Sequence, residues 1–97
     1  MDRVLRVGII GTGMGRLHME AFNSIEGVEI LAICDLNKEE ARYFAEQYNA
    51  KYVLTDYKEM LKIEDLDAIS IAIPNFLHHT VTIEALKAGK HVLCEKP

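Results

Sequence analysis

The most constraining feature of this sequence is at its start. An apolar run from Val4 to Ile10 passes without a break into Gly11-Thr12-Gly13-Met14-Gly15. The run is rich in β-branched residues and ends at glycine, which predicts a buried strand. A helical pattern takes over at once. Met14, Leu17, Ala21, Phe22 and Ile25 recur at helical spacing and predict one apolar stripe. Gly27 stands where a C-cap glycine is expected.

The alternation continues along the chain. Val28 to Cys34 reads as a second strand closed by Asp35. Asn37 has N-cap chemistry, with Glu40 in capping-box spacing. Ala41, Phe44, Ala45 and Tyr48 outline the buried face of a second helix, which Asn49 can end. Tyr52 to Leu54 reads as a short extended piece, and Asp56 to Leu61 as a short helix. Ala68 to Ile73 is the third main strand, stopped by Pro74, which cannot donate to a ladder. A helix is predicted from Leu77 to Ala88, with Val81 and Ala85 on its inner face and Ile83 and Leu86 widening it. Gly89 caps it, and Lys87 and Lys90 sit near the negative end of its dipole. His91 to Cys94 is the last strand. This order predicts an α/β fold, a doubly wound parallel sheet with strand order 3-2-1-4 and right-handed crossovers. The 97 residues read as one domain.

Composition narrows the partners. The net charge is −4 with acids and bases interspersed, so there is no basic stripe for a phosphate backbone and nucleic acid is not expected. No apolar run approaches the ~20 residues of a membrane span. Glycines interrupt the first apolar run and no cleavage site follows, so a signal peptide is not expected and a cytoplasmic location is the default. Cys34 and Cys94 end the second and fourth strands. The first strand is expected between them, a separation of roughly 9–10 Å, which is beyond disulfide reach. Both read as reduced thiols.

The glycine turn has a chemical reading. A strand-to-helix turn of this kind lets the backbone approach a pyrophosphate, which then meets the free N–H groups and positive dipole of the helix N-terminus. The usual spacing is G-x-G-x-x-G. Here the third glycine comes one residue early, at Gly15, and Arg16 holds the last position. Asp35 lies 20 residues beyond Gly15, about the distance of the carboxylate that accepts ribose hydroxyls. A 2′-phosphate would meet like charge there, and Leu36 follows where an arginine could have accommodated it. NAD is therefore favoured over NADP. Two other readings stand beside this one: a tight turn with a loop acid and no ligand, and the nucleoside site of an S-adenosylmethionine-dependent methyltransferase.

Two later stretches separate the functional readings. They are Ala72-Ile73-Pro74-Asn75-Phe76-Leu77-His78-His79 and Ala88-Gly89-Lys90-His91-Val92-Leu93-Cys94-Glu95-Lys96-Pro97. With the glycine turn, they closely resemble the N-terminal domain of the Gfo/Idh/MocA (glucose–fructose oxidoreductase/inositol dehydrogenase) family, over the whole chain. Methyltransferases do not carry them. The resemblance implies a Rossmann domain with cofactor contacts from Gly11, Thr12, Gly13, Met14 and Gly15 in the turn and Asp35 at the ribose. It adds Ile73, Pro74 and Asn75 in the loop after the third main strand, then His78 and Glu95. It places Lys96 near nicotinamide and substrate, where it assists the chemistry, and His18 after the turn. Lys96 also follows the last strand, at the sheet edge where ligands bind in open α/β folds. A neighbouring nicotinamide cation would lower its pKa and suit it to proton exchange with a hydroxyl. Adjacent His78 and His79 point in different directions on a helix and do not suggest a metal site.

The resemblance further implies hydride transfer between NAD and a sugar- or cyclitol-like secondary alcohol. It implies more chain as well, with further strands and a substrate domain after Glu-Lys-Pro. On that reading the 97 residues are a truncated cofactor-binding unit that is not competent alone. The last strand becomes an exposed apolar edge, which predicts a homodimer or higher oligomer. The alternative is a non-catalytic nucleotide-binding or self-associating remnant.

Overall fold

The computed structural model describes residues 4–73 and 75–94. Among these residues five strands and four helices alternate: β1 (Leu5–Ile10), α1 (Thr12–Asn23), β2 (Val28–Cys34), α2 (Lys38–Tyr48), β3 (Tyr52–Leu54), α3 (Tyr57–Leu61), β4 (Ala68–Ile71), α4 (Asn75–Lys87) and β5 (His91–Cys94). The strands form one sheet in the order β3-β2-β1-β4-β5, and every pairing is parallel. The expected run 3-2-1-4 is present and a fifth strand extends it. The short piece at Tyr52 takes the third strand's place beyond β2, so the strand at Ala68 stands fourth, beside β1, and two strands, β1 and β4, lie between β2 and β5. Cys34 and Cys94 are therefore three strand spacings apart, about 14 Å, rather than the two expected.

The two faces of the sheet carry different helices. Val7, Ile9, Ile30, Ile33 and Ala68 pack with Met19 of α1 and with Ala41 and Ala45 of α2. Ile10, Cys34, Ile69 and Ile71 pack with Met60 of α3 and with Val81 and Ala85 of α4. Between Val7 and Gly8 the register with β2 slips by one residue. Leu31 and Ala32 consequently both join the α3–α4 layer, and the alternation resumes with Ile33 on the other face.

Local signals account for most boundaries. The Asn37 side chain accepts from the N–H groups of Glu39 and Glu40, and Asn49 ends α2 in the left-handed region at φ 57°. The Asp56 side chain accepts from Lys58 N–H at the start of α3. Helix α4 begins at Asn75, two residues before the predicted start, and Ile83 and Leu86 are on its exposed side.

Helix α1 differs from its predicted stripe. Leu17 is 67% exposed and Ile25 is 51% exposed, whereas Met19 is fully buried. The inner face runs through Thr12, Gly15 and Met19, with Phe22 at its margin. Small residues at its start let the helix lie close to β1, and that approach decides its rotation more than the count of apolar positions does. Gly27 is not the helix cap either. Ser24 caps α1, and Gly27 serves the turn into β2, where its carbonyl accepts from Leu5 N–H. Lys90 also departs from its predicted place. It is buried, and its ammonium donates to the carbonyls of Ile63 at 2.6 Å and Leu66 at 2.9 Å. Among the described residues, no helix is long and apolar enough to cross a membrane.

Candidate functional site

The register aligns the carboxyl ends of four strands. Cys34, Ile10, Ile71 and Cys94 form one row across β2, β1, β4 and β5. The segments that leave this row make the candidate site: Gly11 after β1, Asp35 after β2 and Ala72–Ile73 after β4. Backbone hydrogen bonds carry the ladder one step past the strands, from Gly11 N–H to Cys34 O at 2.9 Å and from Ala72 N–H to Ile10 O at 2.8 Å.

The turn into α1 is closely packed on one side and open on the other. Gly11 has φ 95°, in the region that favours glycine. A Cβ there would lie 2.2 Å from the Ala72 carbonyl oxygen and 2.9 Å from Ile73 Cγ2. A Cβ on Gly15 would lie 2.9 Å from Ile9 Cγ2. Gly13 is the opposite case, since a Cβ there would meet nothing within 4 Å. Packing therefore explains the glycine at 11 and at 15. At 13 the space above the backbone is left free, as the approach of a pyrophosphate requires.

Helix α1 has no side-chain cap at Gly11 and no acidic residue in its first turn. The first N–H groups of a helix have no helical carbonyl partner. Asp35 takes that of Thr12 at 2.8 Å, and those of Gly13 and Met14 follow in the first turn of the helix. With the helix dipole they suit an anion. The residues present thus fit a dinucleotide phosphate group.

Asp35 is the centre of the polar network. Its Oδ2 accepts from both the N–H and the hydroxyl of Thr12, each at 2.8 Å, and its Oδ1 accepts from Asn37 N–H at 2.8 Å. Partial burial pushes its carboxyl pKa up. The Thr12 and Asn37 N–H groups and the Thr12 hydroxyl outweigh that and hold it below the usual carboxylate value. Cys34, one residue back, is buried and free. Burial first, and then the charges of Asp35 and Asp56, push its thiol up to about 12.

His18, one turn further along α1, hydrogen-bonds through Nδ1 to the Ser70 hydroxyl. Ser70 is fully buried on β4, so this bond ties α1 to the strand that leads into Ala72 and Ile73.

The structure brings Gly11, Thr12, Gly13, Gly15 and Asp35 together, with Ile73 beside Gly11. Met14 belongs to the first turn of α1, and Asn75 and His78 to the start of α4. Pro74, Glu95 and Lys96 lie outside the described residues. Sequence reasoning did not find the partnership of Thr12 and Asn37 with Asp35, nor that of Ser70 with His18. Ser70 did carry a signal, as a lone hydroxyl inside the apolar stretch Ala68 to Ile73. A shallow depression lined by Tyr52, Lys62, Ile63, Glu64 and Asp65 lies toward the amino edge and contains none of the predicted residues.

Residues 5–97 match the model of the Gfo/Idh/MocA oxidoreductase family, which has an NAD-binding Rossmann fold. The chain belongs to this family. It is 38% identical to the D-glucoside 3-dehydrogenase of Escherichia coli over 96% of its own length, and covers 27% of that relative. The solved scyllo-inositol dehydrogenase of Lactobacillus casei superposes with a TM-score of 0.93 at 29% identity, covering all of this chain and 30% of that one. A 3-ketoreductase of Actinomadura kijaniata, solved with NADP and TDP-benzene, gives a TM-score of 0.89 at 33% identity, with 98% of this chain and 30% of that one covered. The chain thus spans less than a third of each of these relatives. The matched region is the nicotinamide dinucleotide-binding part of the Gfo/Idh/MocA proteins.

Proposed function

We propose that this chain holds a nicotinamide dinucleotide along the carboxyl edge of its sheet and prefers NAD to NADP. The observation that carries the preference is the ionised Asp35 carboxylate beside the glycine turn. A ribose with free hydroxyls can donate to it, whereas a 2′-phosphate meets its charge. Two like charges about 5 Å apart cost about 1–3 kcal/mol between the dielectric of water and an effective value near 20. Leu36, the next residue, is 90% exposed and offers no cation. The 3-ketoreductase was solved with NADP, so membership of the family does not by itself fix the cofactor, and the preference proposed here rests on Asp35 and Leu36.

In this reading the pyrophosphate lies over Gly13 against the N-terminus of α1. Ile73, Pro74, Asn75, His78 and Glu95 border the cofactor toward its nicotinamide end. When bound, the nicotinamide supplies hydride exchange with carbon. Lys96 takes the hydroxyl proton of a sugar- or cyclitol-like secondary alcohol as its carbon is oxidised, and returns it in reduction. The substrate contacts come from chain outside these residues, and the 97 residues alone are not expected to turn over. A reducing, cytoplasmic setting suits cysteines held three strands apart.

Titration of the chain with NADH and NADPH, followed by nicotinamide fluorescence and calorimetry, tests the reading. NADH should bind the more tightly, and Asp35→Ala should weaken NADH and bring the two affinities together. Absence of binding at millimolar concentrations of either would overturn it.

A second reading is a self-associating module without catalysis. It is favoured by β5, which pairs only with β4 among the described strands, and by Leu93, which is 47% exposed beside that edge. Sedimentation should then report a homodimer or larger species, and a monomer at micromolar concentration would rule it out.

A further inference from the structure

Thr12 is only 2% exposed, so its hydroxyl has no bulk water to turn to. It donates to Asp35 Oδ2 at 2.8 Å, and the Thr12 N–H donates to the same oxygen. A carboxylate oxygen has two lone-pair positions, so Oδ2 is filled. Asp35 Oδ1 accepts only from Asn37 N–H among the described bonds, on the solvent side. It keeps one position.

From this arrangement we propose that Thr12 is a positioning residue for cofactor discrimination. Its hydroxyl locks the Asp35 carboxylate in one orientation, with Oδ1 turned to the sheet edge to receive a ribose hydroxyl of the dinucleotide. The inference rests on the reading of Asp35 as the ribose-binding group. Its new element is the division of labour between the two oxygens: Oδ2 is spent on the glycine turn and Oδ1 on the ligand. The clasp also sustains the negative charge that a 2′-phosphate would meet, because a hydroxyl donor favours the ionised form. A carboxylate without it can rotate about its Cβ–Cγ bond, and both the hydroxyl recognition and the repulsion then weaken. Thr12 thereby couples the turn that receives the pyrophosphate to the acid that reads the ribose.

Three versions of the chain test this: the parent, Thr12→Ser, which keeps the hydroxyl, and Thr12→Val, which replaces it with a methyl of similar size. The readouts are the ratio of NADH to NADPH dissociation constants, the titration of the Asp35 carboxyl by carbon NMR in the free chain, and the melting temperature. Thr12→Val should narrow the preference for NADH by roughly three- to tenfold, as expected for one lost charge-assisted hydrogen bond. Its Asp35 carboxyl should titrate at higher pH. Thr12→Ser should retain both properties. Should Thr12→Val not fold, Thr12→Ala serves in its place. A folded variant without the hydroxyl that keeps the parent's ratio and Asp35 titration would overturn the inference alone. A parent chain with no preference for NADH would overturn the reading of Asp35, and the inference with it.

Discussion

Gly11 lies against Ala72 so closely that a Cβ on the glycine would stand 2.2 Å from the Ala72 carbonyl oxygen. This contact joins the end of β1 to the end of β4, and with them the two loops that border the candidate site. The obstacle is backbone, which cannot turn aside as a side chain tip can. Gly11→Ala should therefore cost about 3 kcal/mol or more, from the clash and the positive φ together. A domain of this size has only about 5–15 kcal/mol in total. Urea denaturation of the variant measures the loss.

Gly13→Ala should separate stability from binding. Its Cβ would meet open space, and the residue is helical. Stability should stay level or rise by about 0.5–1 kcal/mol. NADH affinity should fall at least about tenfold, because the methyl occupies the approach of the pyrophosphate. Equal losses of stability in the variants at 11 and 13 would contradict this assignment of roles.

Asp35 should make stability depend on pH in the acid range. Its carboxyl is held below the ordinary value in the folded chain. The resulting stabilisation is complete above the unfolded carboxylate pKa of about 4 and disappears as pH falls through the folded value. Asp35→Asn should be less stable than the parent at neutral pH. That gap should close on acidification, starting from about pH 5. Urea midpoints at a series of pH values check the sign, and a gap that widens toward low pH would contradict it.

Cys34 should resist alkylation. Its thiol is pushed up to about 12 and is buried, so the thiolate that reacts is scarce at pH 8. In a Cys94→Ser background, iodoacetamide should label the native chain slowly and the urea-unfolded chain fast. The same shift adds stability that is present below the unfolded thiol pKa and is lost as pH rises toward 12.

Lys90→Met should destabilise the chain by about 2 kcal/mol. The methionine fills the space of the stem but leaves the carbonyls of Ile63 and Leu66 without their ammonium donor. Each unsatisfied buried acceptor costs about 1–3 kcal/mol, less whatever water recovers. Thermal unfolding of the two chains side by side measures the difference, and an unchanged melting temperature would count against a structural role for the ammonium.

Much of this architecture is legible along the chain because its causes are local. The caps at Asn37 and Asp56 and the left-handed Asn49 depend on neighbours within a few residues. The strands at Val28 and Ala68 are legible because buried parallel strands are apolar throughout. Asp35 could be singled out because a spacing along the chain sets its place at the end of β2. What resisted reading was the rotation of α1. Leu17 and Ile25 have the composition of a buried stripe, yet Gly15 and Met19 are the residues that face the sheet.

The sequence by itself determined the alternation of strands and helices, the glycine turn, the acid after β2 and the family to which these belong. Those properties rest on short-range spacing and on residue chemistry. Only the tertiary structure decided that Thr12 shares an oxygen of Asp35 from 23 residues away, that His18 reaches Ser70, and that Lys90 satisfies carbonyls at Ile63 and Leu66. It also placed two strands between the cysteines where one was expected. These are consequences of strand order and of how the helices and connecting segments pack on the sheet. Such features arise from which surfaces pack together, and a linear pattern does not encode that choice residue by residue.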